Sequence, residues 1–376
     1  MSQAVVVKGR KVRYAVVGIG WISQTAFLPG VEHTKNSEAV AFVSGHEDKA
    51  AKVGEKYGIH ALYSYEEYDG LLNSGTIDAV YLATPNFDHV DLAVRTLDAG
   101  IHLLLEKPMA TSVEDCQRII DASERSGAKL MVAYRLHHEP GTLKAFEVAR
   151  SGQLGHLRYF NSSFSQPVNY QNHRAKNGYW AGPVPDMGPY PINTARNLFG
   201  AEPIEVFAMG VRTDPERFRD FDDQVALSLR FPGERIATML MSYSGADLDD
   251  YRIAGTLGDL YSSPAFGMGA GMKHTITTEE GKKTSKKSFK QTDQFGGELK
   301  YFSDCILKNR HPEADGEEGM LDIRVIAAAE RSLRTGQPVK LDPYVRKLRP
   351  TEPQVEKLHK TKEPDLVEVH RPSEGR

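Results

Sequence analysis

Residues 101–108 read Ile-His-Leu-Leu-Leu-Glu-Lys-Pro, an apolar run that ends in Glu106-Lys107-Pro108. The run has the length and texture of a buried strand. A cation at its carboxyl end stands where open α/β sheets bind ligands. Pro108 has no N–H and a fixed φ, so ladder pairing stops there. Nearer the amino terminus, Val16-Val17-Gly18-Ile19-Gly20-Trp21-Ile22-Ser23 places a Gly-x-Gly turn directly after another apolar run. The two stretches together predict a nucleotide site with a lysine at its reactive end.

Working outward from these stretches, the first ~135 residues alternate short apolar runs with amphipathic ones. Strands are predicted at Arg13–Val17, Ala39–Val43, Ala79–Ala83, His102–Leu105 and Lys129–Ala133. Helices are predicted at Gln24–His33, Asp48–Tyr57, Tyr65–Leu72, Val90–Ala99 and Val113–Ser126, with Ser112 as a helix start and Gly100 and Gly127 as stops. Near-continuous apolar strands alternating with helices indicate a doubly wound parallel sheet, placed in residues 1–136.

After Arg135 the texture changes. A helix over Glu139–Arg150 precedes strand-like runs at Leu157–Ser165, Ile204–Arg212, Gln224–Phe231, Arg235–Ser242 and Arg252–Leu257. Several alternate polar with apolar residues, as a sheet with one wet face does. The expectation for 137–345 is therefore an α+β unit on a mostly antiparallel sheet. Two late helices, Gln294–Lys308 and Glu317–Thr335, return to pack on the core. The lysine-rich Lys273–Lys290 stretch reads as an exposed hairpin, and 346–376 as a charged arm or tail.

Composition excludes several classes. The chain has 376 residues and a formal net charge of −3, with no basic footprint for nucleic acid and no membrane-surface patch. No run approaches the ~18 apolar residues of a membrane span. The start, Met-Ser-Gln-Ala-Val-Val-Val-Lys, is too short an apolar stretch for a secretory signal. A cytoplasmic location is expected, or a periplasmic one if an export segment has been removed. The two cysteines, Cys116 and Cys305, lack metal spacing and fit a reducing compartment.

In the Gly-x-Gly turn, Gly18 permits the tight bend and Gly20 lets backbone approach a pyrophosphate at the helix start; Trp21 and Ile22 continue the same surface. Ser23 replaces the third glycine of the usual fingerprint. At the end of the second strand, Ser44 stands where a carboxylate would hold the ribose of NAD. Lys49 follows within a turn of the next element. A small hydroxyl with a nearby cation favours the 2′-phosphate of NADP, while Glu47 and Asp48 keep NAD open. Thr84, Asn86 and His89, after Pro85, form either a turn against the cofactor or an ordinary strand-to-helix turn.

For the chemistry, Asp186-Met187-Gly188-Pro189-Tyr190 is the second constellation. Asp186 reads as an N-cap, with Tyr190 one turn along the same helix. With Lys107, these side chains suit removal of a proton from an alcohol while hydride leaves to a nicotinamide. An ammonium ~4 Å from a phenol, at an effective dielectric near 20, favours the phenolate by up to roughly 4 kcal/mol. His137-His138-Glu139 lacks a third ligand at suitable spacing, so no metal is expected. Tyr179 and Trp180 either stack on a ligand or pack.

Glu106-Lys107-Pro108-Met109-Ala110-Thr111-Ser112 with Asp115-Cys116-Gln117-Arg118 resembles the Gfo/Idh/MocA oxidoreductases. Val43-Ser44-Gly45, Tyr134-Arg135, Glu202-Pro203-Ile204-Glu205-Val206 and Gly316-Glu317-Glu318-Gly319-Met320 resemble the glucose–fructose oxidoreductase branch. The resemblance spans roughly residues 12–345. It implies a Rossmann domain plus an open-faced, mostly antiparallel sheet domain. It implies NADP held by Gly18, Gly20, Ser44 and Lys49, with Glu106, Lys107 and Arg135 completing the cofactor surface. Catalysis falls to Lys107, Asp186 and Tyr190, and Arg174 loosely matches the arginine segment that meets cofactor and sugar. A homodimer or homotetramer built on the open sheet is also implied. The activity implied is oxidation of an aldose to a lactone, with NADP either retained or released each cycle. A nucleotide-binding regulator without activity is the non-enzymatic alternative.

Overall fold

The computed structural model describes residues 9–169, 172, 174, 178–268, 270–278, 283–356 and 358–369. Strands β1 (Val12–Val17), β2 (Ser37–Val43), β3 (Ala61–Tyr63), β4 (Ala79–Leu82), β5 (His102–Glu106) and β6 (Leu130–Ala133) form a parallel sheet ordered β3-β2-β1-β4-β5-β6. The strand order reverses between β1 and β4, which opens a crevice at their carboxyl ends. β4 is buried along its whole length, and only a few side chains of β1, β5 and β2 are partly exposed, which explains the apolar runs.

The helices are α1 (Leu28–His33), α2 (Glu47–Tyr57), α3 (Tyr68–Leu72), α4 (His89–Asp98) and α5 (Val113–Ser126). Ser112 caps α5 by accepting from the Asp115 N–H at 3.0 Å, and Gly127 ends it at φ 74°. Two details differ from expectation. β3 is only three residues long, too short for periodicity to reveal, and forms because the edge of β2 offers Ala41–Val43 for pairing. The helix expected over Gln24–His33 begins as a wide π-turn at Ser23–Phe27. Pro29 has no N–H to return to the Thr25 carbonyl, so regular winding fails there.

The second unit begins with α6 (Pro140–Arg150) and β7 (Leu157–Ser165), then α7 (Pro183–Met187) and α8 (Pro189–Phe199). Next come β8 (Glu205–Val211), β9 (Gln224–Phe231), β10 (Arg235–Ser242), β11 (Leu248–Gly255), β12 (Gly258–Ser262), β13 (Lys273–Thr278) and β14 (Lys283–Ser288). After α9 (Gln294–Leu307) and α10 (Gly316–Thr335), β15 (Val339–Lys340) completes a nine-stranded sheet ordered β14-β13-β12-β11-β7-β10-β9-β8-β15. Only the central β10–β7 pair is parallel. The strand expected at Arg252–Leu257 is instead the end of β11 and a tight reversal into β12. Residues 279–282 of the lysine-rich stretch lie outside the described residues, as do residues 1–8 and 370–376.

Both late helices return to the first sheet. Ser303 on α9 shares hydrogen bonds with the Tyr14 hydroxyl and Ser37, each at 2.8 Å. A side chain at Gly30 would stand 2.9 Å from the Gly296 nitrogen, so the absent Cβ lets α1 and α9 close up. α10 packs on α5 and β6 and, on its other side, on β8. The described residues after β15 pass over α10 and α6, with a short 3-10 turn at Glu352–Gln354, and Asp365, Val367 and Glu368 reach the first unit at Lys56, Gln24 and Lys52. Among the described residues no helix is long and apolar enough to cross a membrane.

Candidate active site

The Gly-x-Gly turn sits at the switch point beside β1. Gly18 has φ 87°, and a Cβ there would stand 2.8 Å from the Ala83 carbonyl oxygen at the end of β4. The bend and the close approach both need glycine. Ser23 serves the turn in place of a third glycine by donating to the Gly18 carbonyl at 2.6 Å. A Cβ at Gly20 would meet nothing within 4 Å, so that backbone faces open space. The Trp21 indole N–H and the Thr84 hydroxyl are buried without a hydrogen-bond partner. An open glycine edge and two orphaned polar groups, all at the carboxyl ends of β1 and β4, fit a dinucleotide. Ile22 is part-exposed in the same helix start.

The two residues expected at the ribose, Ser44 and Lys49, follow β2. Ser44 is buried, and its hydroxyl accepts from the His46 N–H at 3.1 Å. Lys49 is half-buried on α2, and burial pulls its ammonium below the usual lysine range, opposed by Glu368.

Three residues expected at the cofactor, His89, Asn86 and Glu106, have hydrogen-bond partners within the protein. His89 is buried, and both its ring nitrogens face backbone carbonyls, Thr84 at 3.0 Å and Pro108 at 3.1 Å. It braces the two loops that flank the crevice. Burial pulls its pKa down to about 4. The Asn86 amide donates to the Trp180 carbonyl at 2.8 Å and so ties the Thr84 loop to the second unit. Glu106 accepts from the Tyr81 hydroxyl at 2.7 Å and from the Lys107 N–H at 3.2 Å. Burial pushes its carboxyl up, and the neighbouring Lys107 charge restrains the rise.

Lys107 follows β5, and its Nζ reaches across to the second unit. It donates to the Asp186 carbonyl at 2.8 Å and lies 3.6 Å from the Asp186 carboxylate. The same ammonium stands 4.9 Å from the ring centre of Tyr190. The Arg135 guanidinium stands 4.8 Å from that ring, anchored on the Gln294 side-chain oxygen and the Phe266 carbonyl. Two cations therefore crowd one phenol ring. Arg135, expected at the cofactor, lies against the Tyr190 ring.

Asp186 is not an N-cap. Gly182 precedes α7, Pro183 takes its first position, and Asp186 lies inside that short helix. Gly188 joins α7 to α8 in right-handed helical geometry, with its Cβ position 2.2 Å from the Val184 carbonyl oxygen. The chain thus stays nearly helical from Asp186 to Tyr190, which keeps the two on one side.

The Asp186 carboxylate also receives the Arg174 Nε at 2.9 Å and the Tyr243 hydroxyl at 3.0 Å. Burial alone would push this carboxyl up; the charges of Arg174 and Lys107 and the Tyr243 hydrogen bond outweigh it and hold the group well below the usual carboxylate range. Sequence reasoning missed Tyr243, which follows β10 and carries no motif.

His137 and His138 are structural: His137 bridges Glu313 at 2.9 Å and Asn193 at 2.8 Å, while His138 faces the Gln354 carbonyl at 3.1 Å. Tyr179 packs, its hydroxyl donating to the Ile326 carbonyl at 2.7 Å.

A doubly wound sheet with this turn, joined to a second unit whose helices α7 and α8 bring an acid and a phenol to a lysine, defines a dinucleotide-binding oxidoreductase. A family model described as "Oxidoreductase family, NAD-binding Rossmann fold" matches residues 12–134, and one described as "GFO/IDH/MocA C-terminal domain" matches residues 142–261. The chain belongs to the Gfo/Idh/MocA oxidoreductase family. It is 32% identical over 344 residues to the NADP(+)-dependent D-xylose 1-dehydrogenase of Haloarcula marismortui, covering 88% of this chain and 93% of that one. A second NADP(+)-dependent D-xylose 1-dehydrogenase, from Haloferax volcanii, is 29% identical over 331 residues, with 88% and 99% covered. Among solved structures, the aldose-aldose oxidoreductase of Caulobacter crescentus superposes with a TM-score of 0.82 at 32% identity, covering 88% of this chain and all of that one.

Proposed function

We propose that this protein is an NADP-dependent sugar oxidoreductase that takes hydride from the anomeric carbon of a pyranose aldose and yields the lactone. The observation that carries the reading is the meeting of Lys107, Asp186 and Tyr190 at the mouth of the crevice. Relatives named for D-xylose oxidation with NADP(+) and for aldose-aldose oxidoreduction support an aldose and this cofactor.

Gly18, Gly20, Trp21 and Thr84 would hold the dinucleotide, with Ser44 and Lys49 at a 2′-phosphate. Bound NADP supplies the hydride acceptor. Tyr190, once its phenol has given up its own proton to solvent, takes the proton of the sugar hydroxyl at its phenolate oxygen. Lys107 holds positive charge beside that ring, which opposes the charge the phenol gains on losing its proton. Asp186 stays ionised and accepts from a neighbouring sugar hydroxyl, while Arg174 and Tyr243 fix its orientation.

The experiment is direct. Purified protein is denatured, any released nicotinamide is identified, and aldoses are screened by the absorbance of reduced cofactor. Cofactor that survives gel filtration marks an enzyme that reoxidises it on a second sugar; cofactor lost marks a dehydrogenase that releases it each cycle. Tyr190→Phe and Lys107→Ala are each expected to lower kcat by about 10²- to 10⁴-fold with the fold intact. Full turnover in both variants would remove the assigned roles, and failure to bind any nicotinamide would remove the reading itself.

The outer face of the second sheet supports a homodimer or homotetramer. Tyr159 on β7, Phe207, Met209 and Val211 on β8, and Ile236 and Leu240 on β10 are all exposed there. The two unpaired, buried cysteines, Cys116 and Cys305, support a cytoplasmic setting.

A further inference from the structure

The extended arm ends against the cofactor crevice. Gln24, one turn beyond Gly20, is 2% exposed and clamps the arm through both ends of its amide. Its oxygen accepts from the Val367 N–H at 2.8 Å, and its nitrogen donates to the Val367 carbonyl at 3.0 Å and to the Ile19 carbonyl at 3.2 Å. The nucleotide turn and the arm thus share one side chain. A second anchor comes from α2, which begins directly after the Ser44 loop. Lys49, Lys52 and Lys56 lie along one side of that helix. Lys56 donates to the Asp365 carbonyl at 2.5 Å, and Lys52 is ion-paired with the Glu368 carboxylate. Glu368 is one of three described non-glycine residues with positive φ, at 51°, a conformation that local contacts must hold.

The charges around Glu368 are those a 2′-phosphate would seek. Its carboxyl is held below the usual range by the Lys52 hydrogen bond first, and then by Lys49 and His46. Lys49 and Lys52 follow the end of β2, the place at which this fold tells a ribose hydroxyl from a ribose phosphate.

We propose that Glu368 is a cofactor-specificity residue: its carboxylate occupies the Lys49–Lys52–His46 cluster in place of the 2′-phosphate, so that NADP must displace the arm and NAD need not. This rests on the dinucleotide site assigned above. The arm is a built-in competitor that weakens NADP selectively. A carboxylate close to a dianionic phosphate at a solvent-exposed site, with ordinary salt screening, accounts for roughly a three- to tenfold loss of affinity.

The test is a fluorescence titration of NADPH and of NADH into the full chain and into Glu368→Gln. The substitution lies on the surface, and melting temperature confirms that the fold is intact. We expect Glu368→Gln to bind NADPH roughly three- to tenfold more tightly, with NADH unchanged and the gain shrinking as salt rises. Limited trypsin digestion gives an independent readout. Saturating NADPH should speed cleavage after Lys360 and Lys362, NADH should not, and Glu368→Gln should be cut faster without any cofactor. Unchanged NADPH affinity in the variant, equal shifts for both cofactors, or cleavage indifferent to NADPH would each overturn the proposal. A parent enzyme that binds neither dinucleotide would overturn the functional reading as well. NADPH binding by the parent, with no effect in the variant, would overturn this inference alone.

Discussion

Asp186 shows how much of a side chain's role depends on partners far away in sequence. Read alone, it is a helix cap. In the fold it joins Lys107 from the first unit, Arg174 twelve residues upstream and Tyr243 57 residues downstream. Those partners keep it charged at pH values where an isolated carboxylate takes up a proton. Loss of either the Arg174 charge or the Tyr243 hydroxyl leaves the desolvation penalty less opposed, so the carboxyl should titrate higher. In Arg174→Met and Tyr243→Phe, the acid limb of kcat/KM is therefore expected to move up by about one pH unit or more. A purely structural role would lower the rate equally at all pH values, and pH–rate profiles separate the two. Tyr243 was illegible in the sequence because a lone tyrosine after an antiparallel strand resembles any packing residue. Lys107 was legible because its strand and proline fix its position locally.

At the scale of elements, α8 and α10 are joined by a charge that no pattern announced. Arg196 on α8 is fully buried and pairs with Glu202, with Glu318 at 3.0 Å and with Asp322 at 2.5 Å. Glu318 and Asp322 are one turn apart on α10, so a single guanidinium fork pins one helix to the other. Arg196→Ala would leave buried Asp322 without its cation, while Glu202 keeps Arg349 at 2.7 Å and Glu318 keeps Arg346 at 2.6 Å, at a cost of about 3–5 kcal/mol. A melting temperature lowered by roughly 10 °C is expected. A variant melting like the parent would show that Arg346, Arg349 and protonation of Asp322 compensate for the lost charge. The turn after β1 is the other critical element. Gly18→Ala combines a left-handed φ with the 2.8 Å approach to Ala83. Dinucleotide binding measured by titration should be lost well before the fold is.

Over the whole molecule, acid is expected to act through buried histidines. Burial holds His89 and His274 at about 4 and His138 at about 3, with each side chain about 1% exposed. Because these pKa values lie below that of an unfolded histidine, the unfolded chain binds more protons between about pH 6.5 and 4. Stability is thus complete above that window and falls as pH drops through it. Each group contributes up to ~3 kcal/mol to that loss. His137, raised by Glu313 against its burial, works in the opposite sense. Thermal melts should show a falling midpoint from pH 7 to pH 4.5; a flat profile would mean that these imidazoles are already charged in the fold. Assembly belongs to the same scale. Ile236→Asp, in the middle of the exposed apolar face, should convert an oligomer to a smaller species by light scattering and leave cofactor affinity unchanged. An unaltered oligomer would move the interface elsewhere.

The sequence by itself determined the doubly wound first sheet, the mostly antiparallel second one, the nucleotide turn and the three residues proposed for catalysis. All of these are written in local periodicity, turn chemistry and the residues at strand ends, which need only neighbours along the chain. Tertiary structure alone decided that β3 exists, that Asp186 gathers Arg174 and Tyr243, that His89 braces loops, that Arg135 rests on Tyr190, and that Glu368 pairs with Lys52 on α2. Each of those depends on groups distant in sequence that meet only after burial, where the loss of water makes charge and hydrogen-bond partners matter.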